Sequence, residues 1–335
     1  MKIVKVGYVI VPNKQKTLNT EKLNKTVFGE YEFLMILIDP IIPLKEQEKV
    51  DILIHKAHDY FIEELKITEQ SKLLAAMESF GSDAQNCQIP MIDSWMTISS
   101  MLDRVKIANI LHQCQFQLNG IKVQSPQTVF IESGMSDPEF LDLMEQNNLK
   151  FPIMTKPSGG YLPKFRYDMS LHFSHNVKGF DKITDQFSQY IPCAIQQFHN
   201  HGGVLYKLYI IGEEWQVCSR PSIINLDRNN HEPIFFKSCT VSRKSGKCSI
   251  SSKVGASHIP TSQACGLDRE VLCKLISSLR NQMDFNLAGI DIIVDLTSST
   301  YYVVDVNYFP GYKDVPDINS KFIKLLHQYA KKLNL

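Results

Sequence analysis

Ala288-Gly289-Ile290-Asp291-Ile292-Ile293-Val294-Asp295, a short polar turn, and then Tyr301-Tyr302-Val303-Val304-Asp305-Val306-Asn307-Tyr308-Phe309-Pro310-Gly311-Tyr312 decide how this chain is read. Both runs are rich in β-branched and aromatic residues and read as two strands of a hairpin. With Leu296 to Thr300 as the turn, its centre is Ser298, and Asp291 and Asp305 are equidistant from that centre. They then face each other across the ladder. Strand side chains alternate, so Asp305 and Asn307 share a face and three oxygen donors project on one side of the ribbon. Opposed residues have β-carbons about 4.5 to 5.5 Å apart, and like charges so placed repel. A divalent cation removes the conflict, and two carboxylates with an amide suit Mg²⁺ better than zinc. Mg²⁺ held by few protein oxygens completes its shell with water and nucleotide phosphates, which points to ATP. The alternative is a slipped register in which the acids face water.

Cations on neighbouring strands extend this reading. Lys207 lies in the apolar run Val204-Leu205-Tyr206-Lys207-Leu208-Tyr209-Ile210-Ile211, where an unpaired ammonium is costly to bury. Lys156 ends another apolar strand and precedes Pro157-Ser158-Gly159-Gly160, whose glycines let backbone amides approach an anion. Arg220 follows the strand paired with that of Lys207. Three such cations beside a Mg²⁺ site make a phosphate cradle; singly, each could instead snorkel or pair with an acid such as Glu213 or Glu214. His199 and His201 flank a Gly-Gly bend and read as turn residues, with no Cys or acid at zinc spacing. No nucleophile elbow and no P-loop pattern is found, which removes hydrolase and Walker-type readings.

The chain of 335 residues is 44% apolar and 21% charged, an ordinary globular composition long enough for two or three packed units. With 36 Lys+Arg against 35 Asp+Glu the net charge is +1, so no global field marks a nucleic-acid or membrane binder. The longest apolar run, Phe33 to Leu44, is broken by Asp39, Pro40 and Pro43, and the first residues lack a signal-peptide pattern. Eight cysteines without a Cys-x-x-Cys pair read as reduced core or surface thiols of a cytoplasmic protein, and a monomer is expected.

Residues 2–11, 33–38 and 51–56 read as strands in βα rhythm, the pattern of a small parallel sheet. Ser99 to Leu111 reads as one helix behind a serine cap, and Ser136-Asp137-Pro138-Glu139 opens another that runs to about Asn148. Short strands of antiparallel character follow at 151–156, 169–173, 193–198, 204–211 and 214–219, the last two joined at Gly212-Glu213. Residues 223 to about 265 read as a surface excursion. Leu267, Val271, Leu272, Leu275, Ile276, Leu279 and Met283 then mark an amphipathic helix, and Ile318, Phe322, Leu325, Leu326, Tyr329 and Leu333 a terminal one. The expected units are an amino-terminal αβ domain at 1–100, a central one at 101–195 and a carboxy-terminal one at 196–335.

These residues together resemble the inositol-tetrakisphosphate 1-kinases, or inositol 1,3,4-trisphosphate 5/6-kinases, an ATP-grasp family. The resemblance runs over nearly the whole chain: Gly7-Tyr8 with Lys14, Asp51 to Lys56, Leu102-Asp103-Arg104, Phe151-Pro152 to Lys156, Gln196 to His201 with Leu205-Tyr206-Lys207, Arg220-Pro221-Ser222, and the carboxylate hairpin. It implies an α/β (α+β) ATP-grasp fold, a small parallel unit followed by two antiparallel-sheet units clamping ATP. It implies that Arg104, Lys156 and Lys207 contact ATP, that Gln196, Gln197 and Phe198 form the adenine linker, and that Ser222, Ser238 and Ser242 line the nucleotide side. Asp291, Asp305 and Asn307 match the magnesium ligands, two ions being expected with ATP. Lys14, Lys56, Tyr167, Lys207, Asn307 and Gly311 match the inositol phosphate side, and Arg220 bridges both ligands, with Lys207 and Arg220 as the catalytic cations.

One segment departs from the pattern. Family members carry a His-Gly step soon after the Lys156 position and a second histidine two residues before a methionine. Here Lys156 to Met169 contains no histidine, and Tyr167 stands at the second position. Lys164 or Arg166 could supply the missing charge. The expected activity is transfer of the γ-phosphoryl group of ATP to a ring hydroxyl of an inositol polyphosphate. Two rivals follow: an inositol phosphate binder with weak or no turnover because of the altered 157–168 loop, and an ATP-grasp carboxylate-amine ligase.

Overall fold

In a computed structural model of the chain, which describes residues 1–11, 18–158, 162, 167–174, 183–226, 232–241, 250, 266–295, 297–312 and 315–335, three sheets form the framework. The first is built from β1 (Lys2–Val9), β2 (Thr26–Phe28), β3 (Tyr31–Leu37), β4 (Ile52–His55) and β5 (Met91–Ile92), in the order β2-β3-β1-β4-β5. β3, β1, β4 and β5 are parallel, as the βα rhythm requires, and only β2 runs against its neighbour. The helices are α1 (Thr20–Leu23), α2 (Ala57–Glu63), α3 (Gln70–Asn86) and α4 (Trp95–Leu102).

The single helix expected from Ser99 to Leu111 is two. α4 is capped by Ser94 and stops at Leu102, and α5 (Arg104–Gln113) starts afresh. Asp103 causes the break: its carboxylate accepts from the Val105 and Lys106 N–H groups at 2.9 and 3.1 Å, satisfying donors that a continuous helix would have bonded itself. The cut puts Arg104 at the first helical position, where its Nε donates to the Pro157 carbonyl at 3.1 Å.

β6 (Phe116–Leu118) and β7 (Ile121–Gln124) form a hairpin, followed by β8 (Thr128–Ile131) and α6 (Asp137–Gln146). The capping box at α6 is as read: Ser136 Oγ accepts from Glu139 N, and the Glu139 carboxylate from Ser136 N at 2.7 Å. The middle sheet has the order β14-β10-β9-β11-β8, with β9 (Ile153–Pro157), β10 (Asp168–His172), β11 (Cys193–Gln197) and β14 (Ile234–Lys237), all antiparallel.

The third sheet, β13-β12-β15-β16-β7-β6, contains β12 (Val204–Ile211), β13 (Glu214–Pro221), β15 (Leu287–Asp295) and β16 (Thr300–Tyr308). β12 turns into β13 through Gly212-Glu213, and Gly212 takes φ +56, a conformation that costs a residue with a side chain. The stretch expected as a surface excursion contributes β14, which pairs with β10, and the short α7 (Ser238–Val241). The apolar run Ile234-Phe235-Phe236 is what makes it a strand; residues 227–231, 242–249 and 251–265 lie outside the described set. α8 (Arg269–Gln282) and α9 (Ile318–Lys332) cover the third sheet with the faces expected, and all seven apolar residues named for the first are buried.

The first and third sheets share one continuous core, running from Val4 and Ile54 to Ile290 and Phe322, whereas the middle sheet has two smaller cores of its own. Fully buried phenylalanines such as Phe33, Phe309 and Phe322 each contribute roughly 2 to 3 kcal/mol to that shared core. The amino-terminal unit and the carboxylate hairpin are therefore one packed body. Cys87, Cys114, Cys193, Cys218, Cys239 and Cys273 are free thiols, and among the described residues no helix is long and apolar enough to cross a membrane.

Candidate active site

Asp291 and Asp305 are directly opposed in the β15–β16 ladder. The pairing reaches this register by a route the sequence does not show. The turn is one residue shorter than expected, since Asp295 pairs with Thr300, and the Asp295 carboxylate closes it by accepting from Thr297 N at 2.8 Å. From there the ladder runs regularly to Ile292 opposite Val303, and an uninterrupted continuation would set Asp291 against Val304. A β-bulge intervenes: Val304 is the extra residue, and Asp291 meets Asp305 after all.

The row continues onto β12, where Lys207 pairs with Asp291 on its other side. Lys207 Nζ lies 2.8 Å from Asp291 Oδ1. Burial, and then the neighbouring Asp305, push the Asp291 carboxyl up; Lys207 pulls it down. Arg220 also pulls it down. Asn307 shares the face of Asp305 and stands opposite Gly289, which pairs on its other side with Tyr209. Arg220, opposite Leu205 on β13, projects on the same face, and its guanidinium donates to the Tyr209 hydroxyl. The acids offered as local partners are engaged elsewhere: Glu213 with Arg280, and Glu214 with Lys321 and Lys324.

Gly289 makes room for this arrangement. A β-carbon there would come within 3.2 Å of Lys207 Cε and 2.9 Å of Pro310 Cγ. Gly289→Ala is therefore expected to displace the Lys207 ammonium and lower kcat/KM at least tenfold, with a change in the thermal midpoint of only a few degrees. Steady-state kinetics beside a melting curve checks it, and unchanged kcat/KM contradicts it.

Lys156 approaches from the middle sheet. Its buried Nζ donates to Gln196 Oε1 at 2.7 Å and to the Val304 carbonyl at 3.1 Å, a bond between the two sheets. Burial lowers its pKa to about 8, with Asp305 and Asp291 opposing and Arg104 assisting the fall. Arg104, Asp305 and Asp291 are therefore each within electrostatic reach of Lys156, and with Lys207, Arg220, Asn307 and Gln196 the structure brings together eight of the residues named from sequence.

The linker after β11 is more occupied than its expected adenine role suggests. Gln197 N donates to Gln127 O at 2.8 Å and Phe198 N to Pro152 O at 2.9 Å, while Gln197 Oε1 accepts from Lys150 N at 3.2 Å. A cavity of about 800 Å³ opens beside it, walled by Phe151, Phe173, Phe198, His201 and Leu226. Ser222 Oγ lies 2.8 Å from His201 Nε2. His201 Nδ1 donates to the His199 carbonyl at 2.7 Å, so Nε2 accepts and the Ser222 hydroxyl is the donor. His199 itself stacks on Tyr302, ring centroids 3.8 Å apart. Both histidines thus brace the linker.

Lys56 caps α2, pairs with Asp59 at 3.1 Å and sits 5.9 Å from the Phe309 ring centre. Tyr308 OH donates to His55 O at 2.7 Å, which brings Lys56 to the end of the hairpin that carries Asn307 and the exposed Gly311. Tyr167 and Ser238 are neighbours at the end of β10, where the Tyr167 carbonyl accepts from Ser238 N at 2.8 Å, and Tyr167 is exposed. Lys14 and Ser242 lie outside the described residues. The bulge at Val304 and the tie between Gln196 and Lys156 were missed in the sequence; a bulge leaves no mark on composition or alternation.

An ATP-grasp protein is what this arrangement of sheets defines. D-alanine–D-alanine ligase from Bacillus anthracis complexed with ATP matches it with a TM-score of 0.56 at 14% identity over 98% of each chain, and D-cycloserine synthetase DcsG with 0.57 at 10% identity over 99% of each. Residues 119–328 match the inositol 1,3,4-trisphosphate 5/6-kinase ATP-grasp domain, and residues 5–93 the pre-ATP-grasp domain of the same kinases. The chain belongs to the inositol 1,3,4-trisphosphate 5/6-kinase family. Among its relatives, inositol-tetrakisphosphate 1-kinase of Danio rerio is 27% identical over 320 residues, covering 93% of this chain and 76% of the relative. Inositol-tetrakisphosphate 1-kinase 2 of Glycine max is 26% identical, covering 93% and 90%.

Proposed function

We propose that this protein is an ATP-dependent kinase that moves the γ-phosphoryl group of ATP to a ring hydroxyl of an inositol polyphosphate. The observation that carries it is the row Lys207, Asp291, Asp305 across three strands, faced by Lys156 from the other sheet. The donor set fits a hard cation: two opposed carboxylates and an amide share one face, and Lys207 pairs with Asp291 from the side away from Asp305. Asp291, Asp305 and Asn307 would hold Mg²⁺, two ions being the number proposed. A cation held by these residues would supply charge neutralisation for the transferring phosphate.

The chain's own residues do the rest. Lys156 and Arg104 meet the nucleotide phosphates from the middle sheet. Lys207 and Arg220, on one face of the third sheet, hold the transferring group in line with the acceptor, and little else is asked of a protein in phosphoryl transfer. The cavity beside the linker has the room and aromatic surface for the base. Lys56 and Gly311 converge at the Asn307 end, where a polyanionic acceptor would be met. Lys14 and Tyr167 are assigned to the same acceptor, and Ser222, Ser238 and Ser242 to the nucleotide side.

The test is incubation with Mg²⁺, γ-labelled ATP and a panel of inositol phosphates, with products resolved by ring position. Label on an inositol phosphate is expected. Label released as free phosphate only when a carboxylic acid and an amine are supplied would replace the reading by a ligase. Tight inositol phosphate binding without ADP formation would replace it by a sensor.

A further inference from the structure

We propose that Gln196 is a positioning residue for Lys156, and that the Val304 bulge supplies the second half of the same clamp; this rests on the assignment of Lys156 to the nucleotide phosphates. The direction of the Gln196 amide follows from its partners. Thr128 Oγ1 donates to the Pro126 carbonyl at 3.0 Å, which commits its only proton. Its oxygen can therefore only accept from Gln196, and Gln196 Nε2 lies 3.1 Å away. With Nε2 so fixed, Oε1 must point the other way, and it accepts from Lys156 Nζ at 2.7 Å. A glutamine at this position presents an acceptor to the lysine and nothing else.

The second acceptor comes from the opposite sheet. Val304 is the residue that the bulge leaves without a ladder partner, and its carbonyl takes Lys156 Nζ at 3.1 Å. Two of the three ammonium protons are thereby directed, one to each sheet, which aims the third. The same extra residue that sets Asp305 against Asp291 also fixes the cation opposite them. Gln196 thus acts on the phosphate end of the nucleotide through Lys156, although it stands at the start of a linker assigned to the base.

Binding of adenosine and of Mg-ADP separates the two roles. Gln196→Leu should weaken Mg-ADP at least tenfold and leave adenosine within twofold, because adenosine has no phosphate for Lys156 to meet. Thr128→Val, which frees the amide to turn over, should weaken Mg-ADP by a few fold in the same direction, and Thr128→Ser should restore it. Equal losses for adenosine and Mg-ADP would make Gln196 a reader of the base and overturn the inference. So would unchanged Mg-ADP binding in Gln196→Leu when Lys156→Met loses it. If Lys156→Met also binds Mg-ADP normally, the assignment of Lys156 to phosphate is what fails, and the inference falls with it.

Discussion

Asp305→Ala is expected to lower kcat by about a thousandfold while the fold stays intact, because it removes half of the carboxylate pair proposed to hold the metal. The stability outcome is the more informative part. Two carboxylates on opposed residues, whose β-carbons lie about 5 Å apart, repel by up to roughly 3 kcal/mol at an effective dielectric of about 20, and the only cation in their row, Lys207, is ion-paired with Asp291. Without metal the pair is a strained element of the sheet. Part of the relief is offset, since Asp305 also favours the charge on Lys156. The metal-free variant should therefore unfold at the same temperature as the parent or higher. Retained turnover contradicts the metal assignment, and a midpoint lowered by many degrees would show that Asp305 holds the fold instead.

A second large effect is expected at Asp93. It is 2% exposed, and its carboxylate accepts from the backbone and side-chain nitrogens of Asn286 and from Leu287 N at 2.9 Å. Its own carbonyl takes His55 Nε2 at 3.2 Å, and Asn286 Nδ2 also reaches Tyr329 OH at 2.9 Å. This network ties the end of β5 to the start of β15, so the amino-terminal unit and the carboxylate hairpin cannot shift independently. Asp93→Ala leaves three donors unpaired, the Leu287 N–H buried and the two of Asn286 half-buried, and should cost about 3 to 5 kcal/mol, measured by denaturant unfolding. A loss below about 1 kcal/mol would contradict this.

The same carboxyl gives a signed pH dependence. Burial pushes its pKa up to about 7 against the opposition of the three N–H donors, from an ordinary value of 3.8. A raised carboxyl pKa means that the folded chain binds the extra proton. Its contribution is complete below about pH 4 and is lost as the pH rises towards 7, by up to about 1.4 kcal/mol per pH unit. Asp93→Asn has no proton to lose, so the difference in stability between parent and variant should carry that slope; a flat difference would contradict it.

How much of this was legible in the sequence depended on how local the cause was. The α6 capping box, the Gly212 turn and the apolar faces of α8 and α9 are set by neighbours in the chain, and all stand as read. The split at Asp103 was also written locally, but a helical spacing of apolar residues on both sides masks a cap that sits between them. Asp291 stands opposite Asp305, as the sequence predicts, although the turn is one residue shorter than Leu296 to Thr300, because the Val304 bulge adds back the residue the turn lacks. The placement of β6 and β7 beside β16, the strand at Ile234–Lys237 and the Asp93 network depend on partners distant in sequence. Nothing in the residues themselves announces them. The resemblance to a kinase family supplied the roles proposed for Arg104 and Lys156; the geometry added how Lys156 is held.

The most direct measurement is Mn²⁺ binding to the ADP-loaded protein, followed by electron paramagnetic resonance, for the parent and for Asp291→Asn with Asp305→Asn. Mn²⁺ replaces Mg²⁺ among oxygen ligands and reports its own occupancy. The parent should take up the ion in the presence of ADP, and the doubly substituted protein should lose at least a hundredfold in affinity. Equal Mn²⁺ affinity in the two would mean that the opposed carboxylates are not where the metal and its nucleotide are held.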